Sequence, residues 1–437
     1  MSVMIATPLL FIALVVFLTL GVPFAFTLGG LATIATILLW GPHALPMISE
    51  RAFGAATEFT MVAGPLFVFM AILLQRSGIA EALYDAMYRS MGSLRGGLAM
   101  GTVIICTLFA AMSGISATGT VTMGLIALPA MLKRGYSKKI ALGCIASGGA
   151  LGQIIPPSIL LIVYSVFAPE SVGRLFMAGI IPGIILSALF VIYIGVRCSI
   201  QPALGPALPP EERASLREKI IALKGIILPV LLVIAVLGSM FFGLASVTEA
   251  AAVGAVGSII TAIIYRRFTW QIFKEALTRT VALQGMVMWI IFGASAFTGL
   301  YAAIGATELI QKIMMLIPGG RWPIIIAINL TLLVLGSFLD PYGILMITIP
   351  IYAPIVRMLG FDTVWFGIIF VLNMEMGFLT PPFGYNLFYL KSVAPEDVTM
   401  ADIYRSIVPF IIVQAIGLTI VMLFPQLTLW LPSIMRF

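Results

Sequence analysis

Two proline pairs constrain this chain more than any other feature. Pro156-Pro157 falls inside an apolar run of membrane-spanning length, and Pro381-Pro382 does the same 225 positions later. Consecutive prolines remove main-chain donors and clash with the preceding turn, so a helix that carries them is broken there. The spacing extends beyond the prolines. Pro129 and Pro354, Gly135 and Gly360, and Gly152 and Gly377 are also 225 apart, while Ala168-Pro-Glu170 returns as Ala394-Pro-Glu396 at 226 and Pro182 as Pro409 at 227. A run that holds one offset this closely points to a duplicated unit.

The surrounding composition says which solvent the unit folds in. Of 437 residues 61% are hydrophobic and 9% charged, whereas a soluble domain is about a quarter charged. Apolar stretches of roughly 17–25 residues, the length a helix needs to cross hydrocarbon, recur throughout. The spacing predicts an all-α polytopic membrane protein. Its first half, 1–198, holds spans at 4–21, 26–40 and 61–74, a hairpin at 94–133, a broken helix at 140–167 and a span at 175–196. A Pro-rich, charged cytoplasmic linker covers 199–219. The second half, 220–437, holds spans at 220–242, 246–265 and 281–302, a hairpin at 322–358, a broken helix at 364–390 and a last span at 407–431. The run from Met4 lacks the basic start and small-residue cleavage site of a signal peptide, so it reads as the first span.

Charge placement sets the topology. Arg95 precedes the first hairpin and Lys133, Arg134, Lys138 and Lys139 follow it, which puts both of its ends in the cytoplasm by the positive-inside rule. The hairpin is therefore re-entrant, and its tip, Ser113 to Gly119, lies at membrane depth. Irregular backbone is tolerated there only inside protein or beside a wet cavity. Each half then has five crossings plus a hairpin that does not cross. That odd number inverts the second half and leaves both termini periplasmic. Inverted repeats with broken helices meeting near the midplane are the architecture of secondary transporters.

Four non-helical points share that depth: 113–119, 152–158, 337–343 and 377–386. Half-helix C-termini offer carbonyls to a small cation, and N-termini favour an anion. Ser113, Ser116, Thr118, Ser158, Thr380 and Asn386 add neutral oxygens, a hard set suited to Na⁺. Small hydroxylated residues also serve simple close packing of helices. Asp340 reads either as an ion ligand or as the N-cap of a helix opened by Pro341. Glu375 reads as part of an ion or proton path, or as half of an ion pair. Glu249 closes a capping box with Ser246.

Other chemistries lack their parts. His43 is the only histidine, and Cys106, Cys144 and Cys198 are scattered among apolar runs; zinc, triad or redox chemistry has no ligand set. The chain has no Gly-x-x-x-x-Gly-Lys-Ser/Thr phosphate loop, so energy must come from a gradient or another subunit. The net charge of +7 sits in loops and records topology rather than nucleic-acid binding.

At these residues the chain resembles the large membrane subunit of tripartite ATP-independent periplasmic (TRAP) transporters. The matching segments are Ser113-Gly114 with Ala117-Thr118, Lys133-Arg-Gly-Tyr136, Ile154-Ile-Pro-Pro-Ser158 and Met177-Ala-Gly-Ile-Ile-Pro182 in the first half. In the second half they are Thr248-Glu-Ala-Ala-Ala-Val253, Phe338-Leu-Asp-Pro341, Trp365-Phe-Gly367 and Asn373-Met-Glu-Met-Gly-Phe-Leu-Thr-Pro-Pro-Phe-Gly384. The resemblance implies an elevator-type transporter of the ion transporter superfamily, in the bacterial inner membrane. It would take up an organic acid, such as a dicarboxylate or a sialic acid, with Na⁺ as the coupling ion. Its partners would be a periplasmic solute-binding protein and a small four-helix membrane subunit, the latter a separate chain because no such segment precedes Met1. Sodium would be held at Ser113, Ser116, Thr118, Gly152, Pro156, Ser337, Asp340, Gly377, Thr380 and Gly384. Substrate would contact Ser113, Gly114, Ser116, Pro157, Ser158, Asp340, Thr380, Pro382 and Asn386. The alternative is a related elevator that needs no binding protein and couples a carboxylate or other anion to Na⁺ or H⁺, the latter through Asp340 or Glu375.

Overall fold

The apolar runs fold as helices whose ends are set by capping side chains, glycines and prolines. The computed structural model describes residues 3–209, 211, 213–215, 217–219, 222 and 227–435; among them every regular element is helical. The end of the expected linker and the start of the span expected from 220 lie partly outside the described residues. Six described helices are long and apolar enough to cross a membrane: Phe59–Arg76, Val172–Ile200, Val247–Ile264, Trp270–Ala303, Pro341–Met358 and Met400–Leu423. Shorter apolar helices stand between them, among them Val3–Thr19, Phe24–Trp40, Gly97–Ser113, Ile227–Phe241, Arg321–Gly336 and Thr363–Leu379. This is a multi-pass, all-helical membrane protein.

The order of helices recurs along the chain. Ser116–Lys133 and Pro341–Met358 begin and end 225 positions apart, and Lys138–Ala150 and Thr363–Leu379 begin 225 apart. Ile159–Phe167 is matched by Tyr385–Val393, and Val172–Ile200 by Met400–Leu423. One pair differs. Trp270–Ala303 is continuous over 34 residues, whereas its counterpart is split into Pro46–Ala56 and Ala63–Arg76 by the stretch 57–62.

Three boundaries differ from the sequence reading, each because capping or main-chain geometry overrides apolarity. The helix expected from 281 starts at Trp270, capped by Thr269, whose Oγ1 accepts the Ile272 N–H at 3.2 Å. Its charged early turns sit in ion pairs, with Glu275 2.5 Å from Arg76 and 2.8 Å from Arg279. The last span starts at Met400 rather than 407, because Thr399 and Asp402 form a capping box, and it ends at Leu423, before the separate helix Gln426–Ser433. The first break begins as a 3₁₀ turn at Leu151–Gln153, ahead of the prolines. Both Pro–Pro bonds are cis.

The helices differ in what surrounds them. Thr363–Leu379 is buried along all 17 residues. The Trp365 indole N–H donates to the Val421 carbonyl at 3.1 Å and the Tyr164 hydroxyl to the Thr363 carbonyl at 2.7 Å, so these groups are met inside the protein. Val3–Thr19, Phe24–Trp40 and Val247–Ile264 instead turn Ile12, Phe26, Ile34, Val256 and Ile260 outward, the apolar faces a helix presents to lipid. Cys106, Cys144 and Cys198 are free and buried.

The start of the linker is stitched into the fold. The Gly96 N–H donates to the Gly205 carbonyl at 2.8 Å, the Ser137 N–H to Leu204 at 3.0 Å, and the Leu208 N–H to Gly92 at 2.8 Å. Leu208 is buried against Gly92. These bonds bind 204–208 to both ends of the first hairpin.

Candidate functional site

The first hairpin turns within two residues. Gly97–Ser113 ends at Gly114, whose φ of +60° lies in the left-handed region that glycine alone adopts cheaply. A Cβ at Gly114 would lie 1.8 Å from the Pro157 carbonyl oxygen, so the tip rests directly on the first break. Gly152 meets the tip from the other side, its Cβ position 2.9 Å from the Ser116 nitrogen. Ser113 is buried, with its Oγ 3.4 Å from the Ile115 nitrogen. The Ser116 hydroxyl donates to Asn386 Oδ1 at 2.5 Å, and Asn386 Nδ2 donates to the Ala146 carbonyl at 3.1 Å. One amide thus joins the first tip, the first broken helix and the second broken helix. The Ser158 hydroxyl donates to the Gln153 carbonyl at 2.5 Å and its oxygen caps Ile159–Phe167. Ser113, Gly114, Ser116, Gly152, Pro156, Pro157, Ser158 and Asn386 therefore form one buried assembly. Thr118 lies half-buried beside it, its N–H on the Ile115 carbonyl at 3.3 Å.

The second tip satisfies its groups locally. The Ser337 hydroxyl donates to the Leu333 carbonyl of its own helix at 3.0 Å. Asp340 is the N-cap of Pro341–Met358, its Oδ2 accepting from the Tyr342 and Gly343 N–H groups at 3.1 and 3.2 Å. Gly336 and Gly377 bring this hairpin and the second broken helix into backbone contact, since a Cβ at Gly377 would lie 2.7 Å from the Gly336 carbonyl. The Thr380 hydroxyl donates back to Met376 at 2.7 Å, and the Thr380 carbonyl accepts the Gly384 N–H at 3.1 Å. Pro382 is exposed, its carbonyl taking the Tyr404 hydroxyl at 3.1 Å.

Between the tips lies a cavity of about 170 Å³. Four of its lining residues, Ser116, Ile159, Pro341 and Tyr385, are each the first residue of a helix. Four positive helix ends thus meet at one cavity, an arrangement that favours an anion. Asp340 supplies the one carboxylate in the wall. Gln153 and Gln284 supply amides and Tyr385 and Tyr389 hydroxyls, while Val68, Leu283 and Val287 close the side toward Phe59–Arg76 and Trp270–Ala303. Gln153 Oε1 is buried without a partner.

Of the residues expected to form the site, Gly114, Ser116 and Asp340 line this cavity. Ser113, Gly152, Pro156, Pro157, Ser158 and Asn386 support its wall from behind. Thr118, Ser337, Gly377, Thr380, Pro382 and Gly384 do not line it. Gln284 and Tyr389 escaped the sequence reading, while Gln153 and Tyr385 fall within the expected breaks at 152–158 and 377–386 without being singled out there. A lone amide within an apolar run was the available signal for both glutamines. No three His, Cys, Asp or Glu side chains cluster among the described residues, and the oxygens present suit a hard cation.

Known proteins match the chain over most of its length. A family model described as "Tripartite ATP-independent periplasmic transporter, DctM component" matches residues 11–427. The chain belongs to this family. Similar to this TRAP large permease are the C4-dicarboxylate TRAP transporter large permease proteins DctM of Vibrio cholerae and Pseudomonas aeruginosa. The first is 34% identical over 98% of each chain, the second 33% identical over 92% of this chain and 93% of the relative. The sialic acid TRAP transporter large permease protein SiaM of Vibrio cholerae is 29% identical over 95% of each. Two solved transporters share the fold at 14% identity. YdaH of Alcanivorax borkumensis has a TM-score of 0.54, with 96% of this chain and 98% of that chain covered. MtrF of Neisseria gonorrhoeae has a TM-score of 0.58, with 90% and 84% covered. The protein is a solute-transporter permease and not an enzyme, from a family that works with a small membrane subunit and a periplasmic binding protein.

Proposed function

We propose that this permease imports a carboxylated organic acid together with sodium. The observation that carries the reading is the convergence of four helix N-termini and one carboxylate, Asp340, on a single cavity. The helix ends favour the anionic substrate. Asp340 opposes it, because two carboxylates about 4 Å apart repel by about 4 kcal/mol at an effective dielectric of about 20. A cation bound beside Asp340 removes that repulsion. Each ligand then strengthens the other, which is the free-energy coupling a symporter needs.

Sodium is the cation in this reading. It is held at the first tip and break by Ser113, Ser116, Thr118, Gly152 and Pro156, and at the second by Ser337, Asp340, Gly377, Thr380 and Gly384. The two halves are inverted copies in the bacterial inner membrane, with both termini periplasmic. The hairpins and broken helices travel as one body past the remaining spans in an elevator motion. A separate four-helix subunit steadies the scaffold, and a periplasmic binding protein delivers the substrate. The relatives named for C4-dicarboxylate and sialic acid support a substrate that carries at least one carboxylate.

The test is uptake into proteoliposomes containing the permease and its small subunit, with the cognate binding protein added and succinate and a sialic acid each offered. Uptake of one acid that requires both an inward sodium gradient and the binding protein is expected. Uptake indifferent to sodium refutes the coupling, and uptake without the binding protein refutes the delivery step.

A further inference from the structure

Three helices lead from the cavity between the tips to a second cavity. Ile159–Phe167, Pro341–Met358 and Trp270–Ala303 pack on one another and touch the first cavity at Ile159, Pro341 and Gln284. Farther along the same helices, Phe167, Pro350 and Ser295 line a cavity of about 420 Å³. The separations are 8, 9 and 11 residues, which at about 1.5 Å per residue put the two cavities about 12 to 17 Å apart on every one of the three. Two of the helices belong to the body that travels in the reading above and the third to the scaffold. The cavities are therefore two levels of one sliding interface.

The second cavity holds what the first lacks, a cationic side chain. Arg51, on the scaffold helix Pro46–Ala56, lies across Trp270–Ala303 at Gly299, where a Cβ would stand 2.5 Å from the Arg51 Nε. Among the described residues its guanidinium has neither an ion-pair nor a hydrogen-bond partner. Glu58, the one carboxylate in this wall, instead accepts from the Thr60 hydroxyl at 3.1 Å. Ser295 is 9% exposed, and its hydroxyl is also without a partner among the described residues, while its carbonyl takes the Thr298 hydroxyl at 3.2 Å. A free guanidinium fork and a free hydroxyl are the donors that a carboxylate accepts from. Between Gln284 and Ser295 the helix carries no charged, hydroxyl or amide side chain, so the scaffold offers polar groups at the two levels and apolar surface between them.

We propose that Arg51 and Ser295 form a second binding position for the substrate carboxylate, met when the moving body stands one step along these helices. This rests on the carboxylate import proposed above and adds a scaffold site to it. At the first level the carboxylate faces helix N-termini that travel with it; at the second it also meets a cation that stays behind. Arg51 thereby offsets part of the cost of bringing a charged group to an interface that is otherwise apolar.

The experiment is uptake of radiolabelled succinate and of a radiolabelled sialic acid into proteoliposomes holding the permease and its small subunit, at saturating cognate binding protein and an inward sodium gradient. The affinity of the binding protein for the same proteoliposomes is measured alongside. Arg51→Met keeps the packing stem and removes the charge. It is expected to lower the initial rate roughly tenfold or more with the binding-protein affinity unchanged, and Arg51→Lys, which keeps the charge, is expected to recover a several-fold part of the loss. Ser295→Ala is expected to lower the rate by a few-fold and carries the test if Arg51→Met does not fold. Rates equal to wild type in all three variants overturn the site, as do equal losses in Arg51→Met and Arg51→Lys, which assign Arg51 to packing. A loss matched by weaker binding-protein affinity overturns it in favour of docking. Wild type that takes up neither acid overturns the import reading itself.

Discussion

The two hairpin tips occupy matching places 225 positions apart and handle their polar groups in opposite ways. Ser113 corresponds to Phe338, Gly114 to Leu339 and Ser116 to Pro341. The first tip is held by other elements: Pro157 against Gly114, Gly152 against Ser116, and Asn386 hydrogen-bonded to Ser116. Ser113 is 2% exposed. The second tip bonds to itself, with Ser337 on Leu333 and Asp340 on Tyr342 and Gly343, and Phe338 is 55% exposed. Separating the second tip from its surroundings therefore breaks few polar contacts, whereas separating the first opens a network. The difference suits the first tip to rigid support and the second to parting from its neighbours when substrate enters or leaves.

The largest expected effect comes from adding a single methyl to the supported tip. Gly114→Ala adds a Cβ where the Pro157 carbonyl stands and demands a positive φ, and the expected cost is about 3 kcal/mol from strain and overpacking. Leu339→Ala, at the matching place, should cost about 1 kcal/mol, since its backbone is not in the left-handed region and its side chain is half-buried. Thermal unfolding in detergent measures both, and equal losses break the comparison.

Asp340 gives an intermediate effect and separates its two roles. Asparagine caps helices about as well as aspartate, so Asp340→Asn should leave stability within about 0.5 kcal/mol, while Asp340→Ala loses about 1 kcal/mol. Sodium-driven uptake should fall in both by roughly tenfold or more. Uptake that follows stability instead, intact in the asparagine variant, reduces Asp340 to a cap.

The smallest effect lies outside the membrane, where Lys138, opening the first broken helix, sits 2.9 Å from Asp397, which follows the second. The hydrogen bond and the charge of Lys138 hold the Asp397 carboxyl below its ordinary 3.8. A carboxylate with a lowered folded value stabilises above its unfolded value, and that contribution is lost as pH falls through the folded one. Asp397→Asn should therefore lower the melting temperature slightly at neutral pH, with the gap to wild type closing below 3.8. A gap that persists in acid assigns the effect to something other than the ion pair.

The family and the helical membrane class were legible because proline pairs, glycines and apolar runs act locally. Asp340 as a cap was legible for the same reason, since Asp before Pro carries its geometry within three residues. What stayed hidden was long-range. Asn386 meets Ser116 across 270 positions, and the sequence gives no sign of which hydroxyl an amide will find. Thr380 and Pro382 sit at the second break as expected, yet the chain turns them away from the cavity. The stretch 204–208 reads as a tether because it is rich in proline and glycine, but main-chain bonds to Gly92, Gly96 and Ser137 hold it, and these leave no mark on residue type.

In the proposed transport cycle the hairpins and broken helices move together past a fixed scaffold. Distance measurement by pulsed electron spin resonance tests it most directly, with labels at exposed positions and the native cysteines buried. One pair joins Trp289 on the scaffold to Leu125 on the first hairpin, and a second joins Leu125 to Phe388 on the second broken helix. The Trp289–Leu125 distance should shift between sodium-free and sodium- and substrate-loaded states while Leu125–Phe388 keeps one value. A constant Trp289–Leu125 distance in every condition, or a Leu125–Phe388 distance that changes with it, would rule out the elevator motion.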